Sequence, residues 1–562
     1  MTTATIRCVT RKALALAAAL GLVMLGACSG GTSSGGSSPP PPGPGGDSAP
    51  PIIAITTPVS GAVYVTAASS VALAGTASDN VGVTSVTWSN DRGGSGNANG
   101  TTSWSVSSIT LQNGVNVITV TARDAAGNSA TATLTVTYSS LTPTLPTPTS
   151  SIFVAPSPAG SDTTGNGTIS APYATLAYAV SLVAPGQSIE LRTGNYCGTN
   201  IGRPGTSSAW ILLRAYNGEN AVIQPCGRQN TIYFYRGDFA PMYWVMYGLE
   251  VQGGSAYTVK IDTPQVKLIQ NNMYGSSADI VKLVATSDDV VIFGNEIHSP
   301  NAANGANAQG VDIVGADRSW VAYNYVHDIP STGMYAKGNA RNTIFEGNRV
   351  ANIYARGIQL GQSTDINLMT DGTYEAYDGI MRNNIIVNTR DACLASASAY
   401  NIKIYNNSCY DAATSSQAAI YLANEAETNQ AGTLIDIRNN IIFVSGTTSR
   451  PAIKINADAV TSYGTVTINN NIYWTLSGAP NVRFTWEGRG LTGASWDSWR
   501  LITGLDTASL VSDPLYTNLT LLTVASNGPA VNNGVTLPEV PLDYLGVTRP
   551  QGAAADIGAY EQ

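Results

Sequence analysis

The sequence predicts an all-β protein in which a β-sandwich precedes a right-handed parallel β-helix. Asparagines recur after short apolar stretches over the C-terminal part of the chain, which indicates a repeating coil. An N-terminal segment alternates apolar and polar residues between frequent turns, as short strands do. Charged residues make up only 11% of the 562 residues, which suits an extracellular β-rich protein better than a cytosolic helical one.

The β-helix is predicted from an asparagine that recurs at intervals of 23 to 36 residues. A short unit that repeats without a fixed length indicates one structural module with variable loops. A buried Asn can satisfy backbone groups of its own coil and of the adjacent one, so stacked copies form an internal ladder. The predicted ladder residues are Asn272, Asn295, Asn324, Asn348, Asn384, Asn407, Asn440 and Asn471.

The β-sandwich is predicted over residues 51–138, where short alternating segments are separated by turns such as QNG and DAAGN. A Gly/Ser/Pro linker (29–50) precedes it and a Pro/Thr linker (139–150) follows it. The stretches DNVGVTSVTW and NGVNVITVTARDAAGNSATATLTV resemble bacterial immunoglobulin-like modules of cell-surface proteins. The resemblance implies an immunoglobulin-like sandwich.

The first 28 residues are predicted to be a lipoprotein signal. Basic residues precede an apolar run over 13–24, which is too short to span a membrane and is flanked like a signal peptide. The next four residues, LGAC, resemble a bacterial lipobox, which implies lipidation of Cys28 after cleavage. Ser29 and Gly30 follow without an Asp, and by resemblance to lipoprotein sorting rules this implies anchoring at the outer membrane or cell surface.

The charge and the cysteines restrict the partners. A net charge of −8 without a basic cluster argues against nucleic acid, and an acidic polymer would need a local basic patch. We expect a monomer that contacts the membrane only through its lipid anchor and binds an extracellular polysaccharide.

The four cysteines outside the signal can form two disulfides in an oxidising compartment. Cys197 can then pair with Cys226 and Cys393 with Cys409, and the alternative is four buried thiols.

Residues 151–562 form the predicted β-helix. The opening FVAPSPAGSD and the ending DIGAYEQ resemble those of many secreted, pectate-lyase-like β-helix proteins. Apolar residues at helical spacing over 173–183 predict a short helix that covers the first coil. Because the interior of a β-helix is packed, function is expected on an outer face beside long loops.

Two polar loop extensions, 361–379 and 423–432, therefore locate the predicted site. The strands beside them align by their Gly or Ala starts: GVDIV, GMYAK, GIQLG, ACLAS and AAIYL. The period of two along a strand then predicts one outward column. Its members are Asp312, Tyr335, Gln359, Leu394 and Tyr421.

The segment MYAKGNARNTIFEGNRVANIYARGIQLG resembles the alginate lyase and chondroitinase B family, in which a Lys base and an Arg on the next coil serve β-elimination. The resemblance implies Lys337 as base and Arg356 as the group that neutralises the substrate carboxylate, with Arg390 as the alternative for the second role. Tyr335 is the predicted acid to the leaving oxygen, with Tyr374 as its alternative. The predicted substrate-binding residues are Gln359, Arg390, Tyr374 and Tyr421.

Calcium is the cofactor hypothesis, with Asp312 and Asp365 as ligands, although either carboxylate could instead hold Lys337. Lys337 and Arg356 could also be solvated charges at strand edges. Two other functions stay open: non-catalytic glycan binding or adhesion, and glycoside hydrolysis by a pair of carboxylates. His298 and His327 each follow a ladder Asn by three residues and are interpreted as structural turn residues.

Overall fold

The computed structural model describes residues 47–58, 63–66, 69–112, 114–138, 143–362, 364–369, 373–414, 417–424, 432–444, 450–456 and 464–562. Cys28, the predicted lipobox and most of the first linker lie outside these residues. Among the described residues, no helix is both long and apolar enough to cross a membrane.

The N-terminal strands form a β-sandwich of two sheets. The three-stranded sheet contains Ile52–Thr57, Ser70–Ser78 and Ser103–Thr110, and the five-stranded sheet contains Val63–Thr66, Val83–Asn90, Ser95–Asn97, Gly114–Asp124 and Ser129–Tyr138. Trp104, Ile118 and Leu134 are buried between the sheets. Gly75 is required there, because a Cβ at this position would lie 2.4 Å from the Trp104 ring.

The following chain winds through three parallel sheets of twelve strands each, which we call sheets A, B and C in the order in which each coil visits them. Sheet A contains Ser150–Val154, Gln187–Leu191, Ile211–Ala215, Trp244–Tyr247, Val266–Ile269, Val291–Phe293, Trp320–Ala322, Ile344–Glu346, Ile380–Arg382, Lys403–Tyr405, Ile435–Arg438 and Val466–Asn469. Sheet B contains Gly194–Cys197, Ala221–Gln224, Glu250–Gln252, Asn272–Tyr274, Glu296–His298, Tyr325–Ile329, Arg349–Ile353, Ile385–Thr389, Ser408–Ala412, Ile441–Val444, Ile472–Thr475 and Leu510–Val511. Sheet C contains Thr199–Ile201, Asn230–Phe234, Tyr257–Ile261, Val281–Leu283, Val311–Val314, Met334–Lys337, Ile358–Leu360, Leu394–Ala397, Ile420–Ala423, Pro451–Ile455, Arg483–Trp486 and Leu491–Ala494, the last of which is antiparallel.

Short elements complete the β-helix and close its ends. The helix Leu176–Leu182 packs on the first coil, and the helix Trp496–Thr503 packs on the last with Trp499 buried, so each hides an open sheet edge. The remaining elements are the 3₁₀ helices Tyr216–Gly218, Ile366–Leu368, Ala479–Asn481 and Glu487–Arg489, a three-stranded sheet (Ala340–Arg341, Ala376–Tyr377, Ala399–Tyr400) and a hairpin (Tyr516–Asn518, Thr523–Val524).

The asparagine ladder lies between sheets A and B, and its first residue corrects the sequence analysis. Asn271, not Asn272, points inward: its Nδ2 donates to Met246 O and to Asn295 Oδ1, both at 3.0 Å. Asn272 lies on the outer surface of sheet B. The same pattern of one amide bonded to the next continues through the seven other predicted residues and ends where Asn471 N donates to Ser509 Oγ.

Sheets A and B have part of their outer surface covered by the C-terminal segment. Leu522, Tyr544 and Tyr560 pack on Ile385 of sheet B, and Leu537 packs on Ile380 of sheet A. The two disulfides join Cys197 to Cys226 and Cys393 to Cys409. Cys393 and Cys409 are fully buried in the core of the β-helix.

Candidate functional site

The outer surface of sheet C carries a column of polar and aromatic side chains, one from each coil. The register pairs Asp312 with Tyr335 and Tyr335 with Gln359, as the strand alignment predicts. It then pairs Gln359 with Ala395, so the predicted outward Leu394 is wrong: Leu394 is fully buried in the core. The complete column is Asn200, Tyr233, Lys260, Lys282, Asp312, Tyr335, Gln359, Ala395, Tyr421, Lys454 and Thr485.

Lys337 and Tyr335 lie on the same surface of one strand. The Nζ of Lys337 is 4.9 Å from the centroid of the Tyr335 ring, so the ammonium group rests over the aromatic face. Lys337 is half-buried, whereas Tyr335 is only 1% exposed. Burial, and after it the negative charge of Asp312, raises the pKa of Tyr335 well above its ordinary value. Tyr335 therefore keeps its proton, and its ring lies beneath the amino group of Lys337.

Arg356, Gln359 and Tyr421 form a second group one coil further on. The Nη1 of Arg356 donates to Gln359 Oε1 at 2.8 Å, and its guanidinium lies 5.4 Å from the Tyr421 ring. Among the described residues, Arg356 forms no ion pair with a carboxylate. It is thus a cation held in place by a neutral amide and an aromatic ring.

The sequence analysis missed Asp279 and Lys282, which lie next to the predicted Asp312. Lys282 forms an ion pair with Asp312, and its Nζ lies 3.7 Å from Asp279 Oδ2. Burial, and then the charge of Asp312, raises the pKa of Asp279 to about 8. Burial alone would lower the pKa of Lys282, but the charges of Asp312 and Asp279 hold it above its ordinary value. Asp279 is therefore the carboxyl that keeps its proton near neutral pH.

The other predicted residues lie at the margins of sheet C. Arg390 is exposed and stacks over the Tyr354 ring at 4.4 Å. Tyr374 packs against Tyr377 and Tyr400, both at 5.5 Å between centroids. Asp365 is exposed and accepts the Asn367 N–H, so it caps the helix Ile366–Leu368.

Two long loops adjoin the strands of sheet C in sequence. Residues 299–310 connect sheet B to sheet C, and residues 361–379 lead from sheet C to sheet A, with 363 and 370–372 outside the described residues. The second loop is fixed by the buried Glu375, whose carboxylate accepts the N–H of Gly338 at 2.9 Å and that of Thr364 at 2.8 Å. Burial raises the pKa of Glu375. Residues 425–431 of the other predicted extension lie outside the described residues.

His298 and His327 do not lie in turns, contrary to the sequence analysis. They occupy outward positions of the sheet B strands Glu296–His298 and Tyr325–Ile329, directly opposite each other in the register. Burial, and then the charge of His327, lowers the pKa of His298. Burial opposes protonation of His327 as well, but hydrogen bonds to Glu296 and Asp328 raise its pKa.

Comparisons with known proteins agree with the two folds. Residues 247–375 match the family model of the right-handed β-helix region, and residues 51–139 match the model of glucodextranase domain B. The chain is thus an all-β protein with a right-handed parallel β-helix and an immunoglobulin-like N-terminal domain. A search of curated proteins finds no significant match.

Solved structures of parallel β-helices resemble the chain at low identity. Pectate lyase Pel9A is 14% identical, with 74% of this chain and 97% of that chain covered at a TM-score of 0.48. Alginate lyase from Paenibacillus sp. str. FPU-7 is 17% identical, with 60% and 98% covered at 0.40. PfbA, a surface adhesin of Streptococcus pneumoniae, is 11% identical, with 54% and 85% covered at 0.39.

Proposed function

We propose that this protein binds an acidic polysaccharide along sheet C and cleaves it by β-elimination. The observation that carries the proposal is Arg356, a cation without a carboxylate partner among the described residues, one coil away from Lys337. Residues 299–310 and 361–379 precede and follow the strands of this part of sheet C, and we expect them to flank a bound chain. A uronate carboxylate beside Arg356 would complete the charge pairing.

The chemistry assigns a different task to each residue. Elimination removes the proton from the carbon next to the uronate carboxylate, forms a carbon–carbon double bond and breaks the glycosidic C–O bond. Arg356 neutralises the carboxylate and so stabilises the charge that develops on proton removal. Lys337, in its neutral form, takes the proton. Because Tyr335 is only 1% exposed, it serves as a positioning residue under Lys337, and the leaving oxygen is protonated by solvent.

The test is incubation of the full-length chain with a panel of uronate polymers. Elimination leaves an unsaturated sugar that absorbs ultraviolet light, so release of product is followed directly by absorbance. We expect Lys337→Ala and Arg356→Ala each to lower the initial rate at least about 100-fold. Arg318→Ala and Lys403→Ala are the matched controls, since both remove a paired cation away from this surface. Unaltered rates in the first two variants would refute the assignment.

Hydrolysis and binding without cleavage are the alternatives that the same incubation distinguishes. Asp279 and Asp312 are only 2% and 1% exposed, so they hold Lys282 in place rather than contact a polymer. Products that gain water and show no ultraviolet absorbance would indicate hydrolysis. A polymer that is retained but unchanged in length would instead indicate a glycan-binding protein.

We also infer that the protein is exported and anchored through Cys28. The two disulfides support an oxidising compartment. Mass spectrometry of the mature N-terminus tests this directly: lipid on Cys28 is expected, and a Cys28→Ala chain should leave the membrane fraction. An unmodified or uncleaved N-terminus would contradict the inference.

A further inference from the structure

The outer surface of sheet B carries the only two histidines of the chain, stacked on each other. The rings of His298 and His327 are 4.8 Å apart between centroids and inclined by only 4°. Tyr274, on the preceding strand, lies 5.1 Å from His298, and Tyr325, on the same strand as His327, lies 4.1 Å from it, so both extend the stack. Residues 29 positions apart in sequence thus meet because they lie on successive coils.

The Nδ1 atoms of both imidazoles are held by neighbouring side chains. His327 Nδ1 lies 2.7 Å from Asp328 Oδ2, and His298 Nδ1 lies 3.2 Å from Ser299 Oγ. Asp328 is fixed in turn by Asn352, whose Nδ2 donates to Asp328 Oδ1 at 3.0 Å. A carboxylate that is hydrogen-bonded to the ring nitrogen not bound to the metal orients a metal-binding histidine and makes it a better ligand.

The Nε2 atom of each imidazole lies close to a side-chain oxygen. His327 Nε2 lies 3.2 Å from Glu296 Oε1, and His298 Nε2 lies 3.0 Å from Asn272 Oδ1. One ligand atom from each of Glu296, His298 and His327 lies within 4.8 Å of the other two. In a tetrahedral zinc site with bonds of about 2.05 Å, neighbouring ligand atoms lie roughly 3.3 Å apart. Because the two ring planes are inclined by only 4°, at least one imidazole must tilt for the four side chains to converge on a single ion.

The surroundings favour a cation. Glu250 accepts a hydrogen bond from the Tyr274 hydroxyl beside His298, so Glu250, Glu296 and Asp328 place three carboxylates around the two rings. Arg349 is the nearby cation, and it lies 4.2 Å over the face of Tyr325 rather than against these carboxylates. The side chains of Glu296 and His327 are 21% and 13% exposed, so the position is open to solvent.

We propose that Glu296, His298 and His327 bind a divalent transition-metal ion such as Zn²⁺, with the amide oxygen of Asn272 as a fourth ligand. Two imidazoles with one carboxylate suit zinc, nickel or copper, whereas calcium and magnesium prefer an all-oxygen set. The ligands come from three successive strands of sheet B, so the ion would join three coils. This site lies on a different sheet from Lys337 and Arg356, and its existence does not depend on the proposed lyase activity.

The test is titration of the untagged full-length chain with Zn²⁺ by calorimetry, with Ca²⁺ and Mg²⁺ as hard-cation references. We expect one Zn²⁺ per chain and a rise in Tm of at least about 2 °C at saturation. Because the chain has no other histidine, carbethoxylation by diethylpyrocarbonate reports on these two rings alone, and Zn²⁺ should protect both. Binding of Ca²⁺ in preference to Zn²⁺, or unprotected histidines at saturating Zn²⁺, would overturn the proposal.

Substitutions distinguish this site from adventitious binding. His298→Ala and His327→Gln should each abolish stoichiometric Zn²⁺ binding, with circular dichroism as the check on folding. Asp328→Asn keeps both histidine ligands, but His327 loses the carboxylate that orients its ring. Zinc binding should therefore weaken about 10- to 100-fold. Asp378→Asn is its matched control, because Asp378 has the same left-handed backbone and also accepts from an Asn amide. Equal affinity in Asp328→Asn and Asp378→Asn, or binding that survives loss of either histidine, would refute the site.

Discussion

Replacing the ladder residue Asn348 with Ala tests the interaction that holds the coils in register. The Nδ2 of Asn348 donates to Val321 O at 2.8 Å and to Asn384 Oδ1 at 3.0 Å. Its Oδ1 accepts from the backbone N–H and the Nδ2 of Asn324, at 3.0 and 2.9 Å. Asn348 is completely buried, so no solvent replaces these partners in the variant.

The expected loss follows from these four hydrogen bonds. Each buried hydrogen bond contributes about 0.5–1.5 kcal/mol to stability, so Asn348→Ala should lower the free energy of unfolding by about 2–6 kcal/mol. Unfolding entropy of about 2.1 cal/mol/K per residue over the roughly 410 residues of the β-helix amounts to about 0.9 kcal/mol/K. The midpoint of thermal unfolding should therefore fall by about 2–7 °C.

Thermal unfolding followed by circular dichroism measures this shift. The control is Asn195→Ala, because Asn195 is an exposed strand residue whose side chain forms no hydrogen bond among the described residues. An exposed substitution of this kind changes stability by less than about 0.5 kcal/mol. If Asn348→Ala melts within the error of Asn195→Ala, the ladder does not stabilise the β-helix and the reasoning fails.

Three further predictions concern the pH response, the buried disulfide and a close backbone approach. The raised pKa of Asp279 in the folded protein means that stability falls as pH rises from the unfolded value of 3.8 to about 8, and Asp279→Asn should remove that part of the pH dependence of Tm. The double variant Cys393→Ala, Cys409→Ala opens a loop of 16 residues and should cost about 3 kcal/mol, measured by urea unfolding. Gly361→Ala should lower Tm more than any exposed substitution, since its φ is +79° and a Cβ would lie 1.9 Å from Ala397 O. Each prediction fails if its measured quantity is unchanged. These quantities are the pH dependence of Tm for Asp279→Asn, the urea midpoint for the double cysteine variant and the Tm for Gly361→Ala.

The coil repeat could be predicted because the ladder imposes one residue type at each A–B corner. The first position was misassigned by one residue because the sequence there contains two adjacent asparagines. Nothing local distinguishes Asn271 from Asn272, and only the register decides which side chain points inward. A shift of one residue along a strand turns every side chain to the opposite surface, so such an ambiguity has a large effect.

The predicted column is correct at Tyr421 and at the three strands that share a glycine start. Gly310, Gly333 and Gly357 occupy equivalent positions, and this alignment placed Asp312, Tyr335 and Gln359 correctly. In the next coil Cys393 replaces the glycine, and aligning its neighbour Ala392 instead produced the error at Leu394. The preceding coil has no glycine either, so Asp279 and Lys282 were not considered.

Both proposed sites combine same-strand pairs, Tyr335 with Lys337 and Glu296 with His298, with residues of neighbouring coils. Neighbouring strands of a sheet lie about 4.8 Å apart, so residues some 23 to 36 positions apart in sequence can meet. No single short motif contains all members of such a group, and the contacts of Asp279 and of the histidine pair follow only from the register. Conversely, a substitution that shifts the register of one coil by a single residue would turn its side chains to the opposite surface. The site would then be lost although none of its own residues had been replaced.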